Sequence, residues 1–287
     1  MEVISLQSGS SGNCVFVRIG QTRLLFDAGI SGRKTQSRLA LHGHDVHDVD
    51  ALVISHDHSD HIAALGPLHR RFGLPVYLTR PTHRVVSKKP RTGELSDVRH
   101  FQAGQTLEFP GVTVHTIPTA HDAVDGVCFV VEDLESGTRF GLMMDLGHCF
   151  RGLSDWIGDL DAIMIESNYD LPMLRDGFYP RHLKERIHGK GGHLSNDDAS
   201  KLVRDHAGQR LQWVCLAHLS DENNTPELAV KTCRAQVPAS VQIHCADRYD
   251  TTEPMLIRSP KILAKRSSSA KPGVRIQKAA SEQFLFS

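Results

Sequence analysis

Ser55-His56-Asp57-His58-Ser59-Asp60-His61 sets three imidazoles and two carboxylates within seven residues. It follows directly on Ala51-Leu52-Val53-Ile54, an apolar run that predicts a buried strand, Ala51 to Ser55. It leads into His61 to Phe72, where apolar residues at Ile62, Leu65 and Leu68 predict a helix ending at Gly73, a residue suited to the left-handed C-terminal position. At such a strand end, side chains and backbone groups turn toward a common crevice. His56 and His58 alternate, so an extended loop points both the same way. Asp60 and His61, entering the helix, face them across a gap suited to a second ion. Imidazole is the commonest protein ligand for transition metals, and a carboxylate adds a harder oxygen donor. A lone His-x-His is usually a polar surface loop; the full H-x-H-x-D-H run after a buried strand is far more specific.

Outward from this run, strands are expected at Glu2 to Leu6, Cys14 to Ile19 and Thr22 to Phe26, with the tight loop Ser8-Gly9-Ser10-Ser11-Gly12-Asn13 between the first two. Further strands are expected at Val76–Leu78, Val112–Ile117, Val127–Val131, Phe140–Met144, Ala162–Ile165, Gln212–Ala217 and Val241–His244. Ser195 caps a helix, with Asp198 completing a capping box, and Pro226 opens another after Thr225. Strands that precede the first long helix, followed by mixed elements, predict two mixed sheets covered by helices, an α/β sandwich.

The H-x-H-x-D-H run resembles the signature of the metallo-β-lactamase superfamily, and the resemblance extends from Ser5 to about Asp247. Leu25-Phe26-Asp27-Ala28-Gly29 looks like that family's early Asp motif, which braces the site without binding metal. His121 in Thr119-Ala120-His121-Asp122, Asp145 after Gly141-Leu142-Met143-Met144, and His218 in Ala217-His218-Leu219-Ser220 look like its later ligands. The resemblance implies an αββα sandwich in which His56, His58 and His121 hold one divalent ion. Asp60, His61 and His218 would hold the other, and Asp145 would bridge. Five imidazoles suit zinc, while two carboxylates suit manganese as well. Two ions about 3.5–4 Å apart lower the pKa of a shared water, leaving a hydroxide nucleophile near pH 7, and neutralise developing charge. Family members that are β-lactamases usually carry Cys at the bridging position; a carboxylate there implies a hydrolase of phosphodiesters or thioesters.

Four local motifs narrow the resemblance to the YycJ/WalJ-like subgroup: the Ser8–Asn13 loop, Asp145-Leu146-Gly147-His148, Gly192-His193-Leu194-Ser195-Asn196, and Ala217-His218-Leu219-Ser220 with Asn223-Asn224. Glu166-Ser167-Asn168-Tyr169-Asp170 fits the same subgroup. This implies a compact 5′-to-3′ DNA exonuclease, since the 47 residues between Asp145 and His193 leave no room for the large domain inserted in RNA-degrading relatives. The alternative is hydrolysis of a small thioester or cyclic phosphodiester on the same ions. A metal-containing binding protein without turnover would need a missing ligand, and every ligand position is filled.

With Asp60 and Asp145, His193 completes the catalytic set, either as donor of a proton to the leaving 3′ oxygen or as a residue that merely precedes a capped helix. Ser8, Ser10 and Asn13 either bind phosphate or form a glycine-rich hairpin. Arg181, Lys184 and Arg186, with Lys190, either border the cleft as phosphate contacts or form a solvated helix face. No stacked aromatic platform is evident, and Phe178 with Tyr179 is the best-placed pair.

Lys plus Arg and Asp plus Glu each total 33 in 287 residues, so a globally basic nucleic-acid footprint is excluded and any polyanion needs a local patch. The six cysteines show no C-x-x-C spacing and several sit in apolar runs, which predicts reduced thiols. Neither a signal segment nor a run of about 18 apolar residues is present, so a cytoplasmic protein without membrane spans is expected. The division expected is a hydrolase domain over 1–257 and a basic tail over 258–287.

Overall fold

The computed structural model describes residues 1–259, so the expected tail lies outside the described residues except at Arg258 and Ser259. The first half of the chain runs β1 (Glu2–Gln7), β2 (Cys14–Ile19), β3 (Thr22–Phe26), α1 (Gly32–Leu41), β4 (Ala51–Val53), α2 (Ser59–Ile62), α3 (Leu65–Phe72), β5 (Val76–Thr79), α4 (Arg80–Val86) and β6 (Val98–Phe101). The second half begins with β7 (Thr106–Phe109), β8 (Val112–Pro118), β9 (Val127–Asp133), β10 (Thr138–Met143), α5 (Leu153–Gly158) and β11 (Ala162–Glu166). It continues with α6 (Leu171–Asp176), α7 (Arg181–His188), α8 (Asn196–His206), β12 (Trp213–Ala217), α9 (Pro226–Gln236), β13 (Gln242–Cys245) and β14 (Met255–Leu256).

The strands form two seven-stranded sheets, β14-β1-β2-β3-β4-β5-β6 and β13-β12-β11-β10-β9-β8-β7. Both are mixed: β1 to β3 pair antiparallel and β3 to β6 parallel. Likewise β7 to β10 pair antiparallel and β10 to β13 parallel. Side-chain alternation builds the layers. On β2, Val15 and Val17 face inward to meet Val114, Phe129 and Phe140 of the other sheet. Cys14 and Phe16 face outward, in one cluster with Leu39 of α1 and Leu65 and Leu68 of α3. Val130 and Ile163 face outward on the second sheet, with Ile157 of α5, Leu202 of α8 and Ala229 of α9. Helices thus cover the outer face of each sheet, giving the expected αββα sandwich. Among the described residues no helix is long and apolar enough to cross a membrane.

Three local features differ from expectation. The helix predicted over His61 to Phe72 is broken into α2 and α3. In an unbroken helix the Asp60 carbonyl would accept from the Ala64 amide. Here Asp60 O accepts from Asn13 N at 2.7 Å, His61 O from Ala28 N at 2.7 Å, and Ala64 N donates to Ala28 O at 2.8 Å. Helix α1 was not expected, because Arg33-Lys34-Thr35-Gln36-Ser37-Arg38 carries no apolar stripe; Ser31 caps it by accepting from the Lys34 amide. Edge strands β6 and β7 are short and partly exposed, so their alternation is weak.

Candidate metal centre

The chemistry-bearing residues follow the carboxyl ends of strands at one edge of the sandwich. Asp27 follows β3, His56 to His61 follow β4, His121 follows β8, Asp145 follows β10, Glu166 ends β11, and His218 follows β12. Asp27, Asp145 and His218 adopt left-handed backbone, with φ of 64°, 51° and 54°. Non-glycine residues are uncommon there, and such strained positions cluster at functional sites.

The structure brings all seven expected ligands together. His56, His58 and His121 form one set whose ligand atoms lie within 4.8 Å of one another; Asp60, His61 and His218 form a second; His56, His61 and Asp145 join them. The Asp145 carboxylate sits between the sets, with His61 Nε2 at 2.8 Å, His218 Nδ1 at 3.5 Å and His56 Nε2 at 3.9 Å. Despite these approaches, both Asp145 oxygens and His56 Nε2 are buried without a hydrogen bond of acceptable geometry. Buried polar groups are nearly always partnered, and an orphaned carboxylate beside an orphaned imidazole nitrogen is costly. A divalent cation would give these atoms a partner, so this donor set fits one.

Neighbouring groups select which imidazole nitrogen faces the centre. His61 Nδ1 lies 2.7 Å from Asp27 Oδ2, and a carboxylate only accepts, so Nδ1 carries a proton and the ring turns Nε2 toward the cluster. His121 Nδ1 likewise donates to the Gly192 carbonyl at 2.9 Å, and the Ser55 hydroxyl lies 2.9 Å from His56 Nδ1. Burial and the surrounding imidazoles lower the pKa of His56, and burial lowers that of His121; both stay neutral and ligand-ready. Burial opposes charge on His61, but Asp60, Asp27 and Asp145 outweigh it and raise its pKa. Burial also opposes charge on Asp60, and His61 and His218 overcome it, holding the carboxyl well below the usual range.

His193 stands at the rim of this cluster with Nδ1 2.9 Å from Glu166 Oε2 and 3.2 Å from Asp145 Oδ1. Burial works against its protonation, yet the Asp145 and Glu166 carboxylates beside it push its pKa up to about 10. Glu166 is fully buried, and its other oxygen accepts from the Leu146 amide at 2.7 Å, immediately after Asp145. No chemical role for Glu166 was read from the sequence. The available signal was a charged residue ending the apolar run Ala162-Ile163-Met164-Ile165, as Asp145 ends its own run. Asn168, in the same sequence motif as Glu166, carries no role that the sequence reveals; its amide donates to the His218 carbonyl at 2.8 Å and lies 3.1 Å from His218 Nδ1.

The remaining expected residues are placed unevenly. Ser8 is buried and accepts from the His218 amide at 2.9 Å. Asn13 is buried too; its Nδ2 donates to Asp60 Oδ2 at 3.1 Å, so both residues brace residues of the donor cluster. Ser10 and Arg186 line the cavity of about 340 Å³ in front of the cluster, and Arg186 forms a double hydrogen bond to Asp122 at 2.6 and 3.1 Å. Lys184 donates to the Arg175 and Gly177 carbonyls, and Arg181 pairs with Glu185 on the exposed face of α7. A larger concavity, about 750 Å³, lies beside Trp213 and Arg210 at the amino ends of β11 and β12, away from the donor cluster.

Two mixed sheets whose strand ends converge on paired His/Asp sets define a metallo-β-lactamase-type hydrolase. The chain belongs to the beta-lactamase superfamily, whose domain model matches residues 22–214. It is 35% identical over 229 residues to exodeoxyribonuclease WalJ of Streptococcus pneumoniae, covering 79% of this chain and 84% of that protein. It is 33% identical over 224 residues to exodeoxyribonuclease YycJ of Bacillus anthracis, covering 78% and 84%. Among solved structures, the metallo-beta-lactamase fold protein YhfI of Bacillus subtilis superposes with a TM-score of 0.65 at 17% identity, covering 88% of this chain and 99% of YhfI.

Proposed function

We propose that this chain is a metal-dependent 5′-to-3′ exonuclease of DNA that works with two divalent ions, zinc or manganese. The observation that carries the proposal is the buried Asp145 carboxylate, orphaned of hydrogen bonds between two sets of imidazole and carboxylate donors. His56, His58 and His121 would hold one ion, Asp60, His61 and His218 the other, and Asp145 would bridge. When bound, such ions would supply an acidified water as nucleophile and neutralise charge developing on the phosphate oxygens. The similarity to WalJ and YycJ over most of the chain supports a nucleic-acid substrate and, since both are exodeoxyribonucleases, DNA.

The chain's own side chains divide the remaining work. Asp27, Ser55 and the Gly192 carbonyl hold the imidazoles in the tautomers that face the cluster. With Nδ1 against Glu166 and Asp145, His193 keeps Nε2 to carry the proton that the leaving 3′ oxygen requires. Ser10 and Arg186 border the cavity and orient the phosphate from its rim.

The test is metal-reconstituted protein on end-labelled single-stranded and duplex DNA, beside Asp145→Ala. Progressive shortening from the 5′ end, lost in the variant, is expected. DNA left intact under both zinc and manganese, with turnover of a small thioester or cyclic phosphodiester, would replace the nuclease reading with the small-ester one.

A further inference from the structure

We infer that the loop joining α6 to α7 is a nucleobase-stacking platform, with Phe178 as its stacking side chain, for a single strand whose phosphate occupies the metal cavity. This rests on the nucleic-acid reading of the centre. Phe178 is 103% exposed, a full aromatic ring given to solvent. The residue after it, Tyr179, lines the metal cavity together with Arg186 and His193. The loop therefore forms one edge of the cavity, and a strand leaving on that side passes it.

The backbone beneath Phe178 is fixed. The Gly177 amide donates to the Met173 carbonyl at 2.8 Å, and a Cβ at Gly177 would fall 2.7 Å from that same oxygen. The Lys184 ammonium, reaching back from α7, donates to the Gly177 carbonyl at 2.6 Å and the Arg175 carbonyl at 2.8 Å. Pro180 follows, and its carbonyl accepts from the Leu183 amide at 3.0 Å, starting α7. Helix α7 has no buried residue; Leu183 and Ile187 line the cavity instead, so Tyr179 and α7 form a lip over the site. A rigidly mounted, unpacked aromatic ring at the lip matches an unstacked base, because every base has a π-face and stacking tolerates any sequence. An exonuclease that degrades without regard to sequence needs that kind of grip.

The experiment uses the metal-loaded full chain and a phosphorothioate single strand that resists cleavage and carries 2-aminopurine near its 5′ end. A matched strand carries abasic sites there. Wild-type protein should quench the 2-aminopurine and bind the base-bearing strand more tightly than the abasic one. Phe178→Ala should lose the quenching, weaken binding of the base-bearing strand by about tenfold and bring the two affinities together, while Phe178→Trp restores the difference. On cleavable DNA the same variant should raise KM rather than lower kcat. Quenching and affinity unchanged in Phe178→Ala, or equal loss on both strands, would overturn the stacking role while leaving the exonuclease reading standing. Wild-type protein that neither binds nor degrades any strand would overturn both.

Discussion

Oε2 of Glu166 lies 2.9 Å from Nδ1 of His193, within a core where Glu166 has no solvent exposure. Its second oxygen accepts the Leu146 amide, so one carboxylate aligns both the proposed proton donor and the turn that carries Asp145. Glu166→Gln keeps an oxygen for the amide but presents a donor where His193 needs an acceptor. We expect kcat to fall about tenfold to hundredfold. His193→Ala should lower turnover by roughly two to four orders of magnitude. Both variants should retain wild-type metal content by elemental analysis; metal lost from His193→Ala would make His193 a ligand instead of a donor.

Asp27 accepts from His61 Nδ1 at 2.7 Å and also from the Ser55 amide and hydroxyl at 2.8 and 2.9 Å. Asp27→Asn removes the charge that fixes the His61 tautomer. Metal affinity should drop about tenfold to hundredfold, measured by competition with a chelating dye. Unchanged affinity would mean that His61 needs no such brace.

Chelation should destabilise the fold, because ions that bind the folded chain stabilise it by about 4 kcal/mol at a thousand times their dissociation constant. For a chain of this size that is a fall in Tm of roughly 10 °C, reversed by zinc or manganese. The pKa of His61 is raised by Asp60, Asp27 and Asp145 against the effect of burial, so in the metal-free chain it holds a proton through neutral pH. Metal uptake must expel that proton. Affinity should therefore rise with pH across the neutral range, by about tenfold per unit for one proton released. Calorimetry in buffers of different ionisation enthalpy would count the proton; a count of zero contradicts the assignment.

A Cβ added at Gly29 would lie 1.7 Å from the Asp60 carbonyl oxygen and 2.4 Å from the Asn13 amide. Both contacts are backbone, so neither can rotate away. Gly29→Ala should destabilise by about 3 kcal/mol, the upper part of the range for overpacking, and lower metal affinity with it. A thermal melt beside a metal titration would read both. A stable, fully metallated variant would show that the loop can move as a unit.

Much of this centre was legible because chemistry followed hydrophobic pattern. Ala51 to Ile54, Gly141 to Met144 and Trp213 to Ala217 are apolar runs, and each is followed by a ligating residue type. Glu166 escaped although it ends such a run, since a buried carboxylate declares its role only through its partner, and His193 is 27 positions away. Ser8 and Asn13 offered phosphate-binding chemistry in sequence; burial turns their polar atoms onto His218 and Asp60. The broken helix after His58 was hidden for a similar reason. Its apolar spacing is helical throughout, and the break is made by carbonyls bonding to Asn13 and Ala28.

The sequence by itself determined the sandwich class, the H-x-H-x-D-H run and the residue types at the strand ends, because alternation and local ligand spacing are properties of neighbours along the chain. Only the tertiary structure decided that Asp145 is orphaned between two donor sets, that Glu166 holds His193, and that Phe178 stands unpacked at the lip of the cavity. Those facts depend on which strand ends converge and which polar atoms the fold leaves without water, and neither is written in any single stretch of sequence.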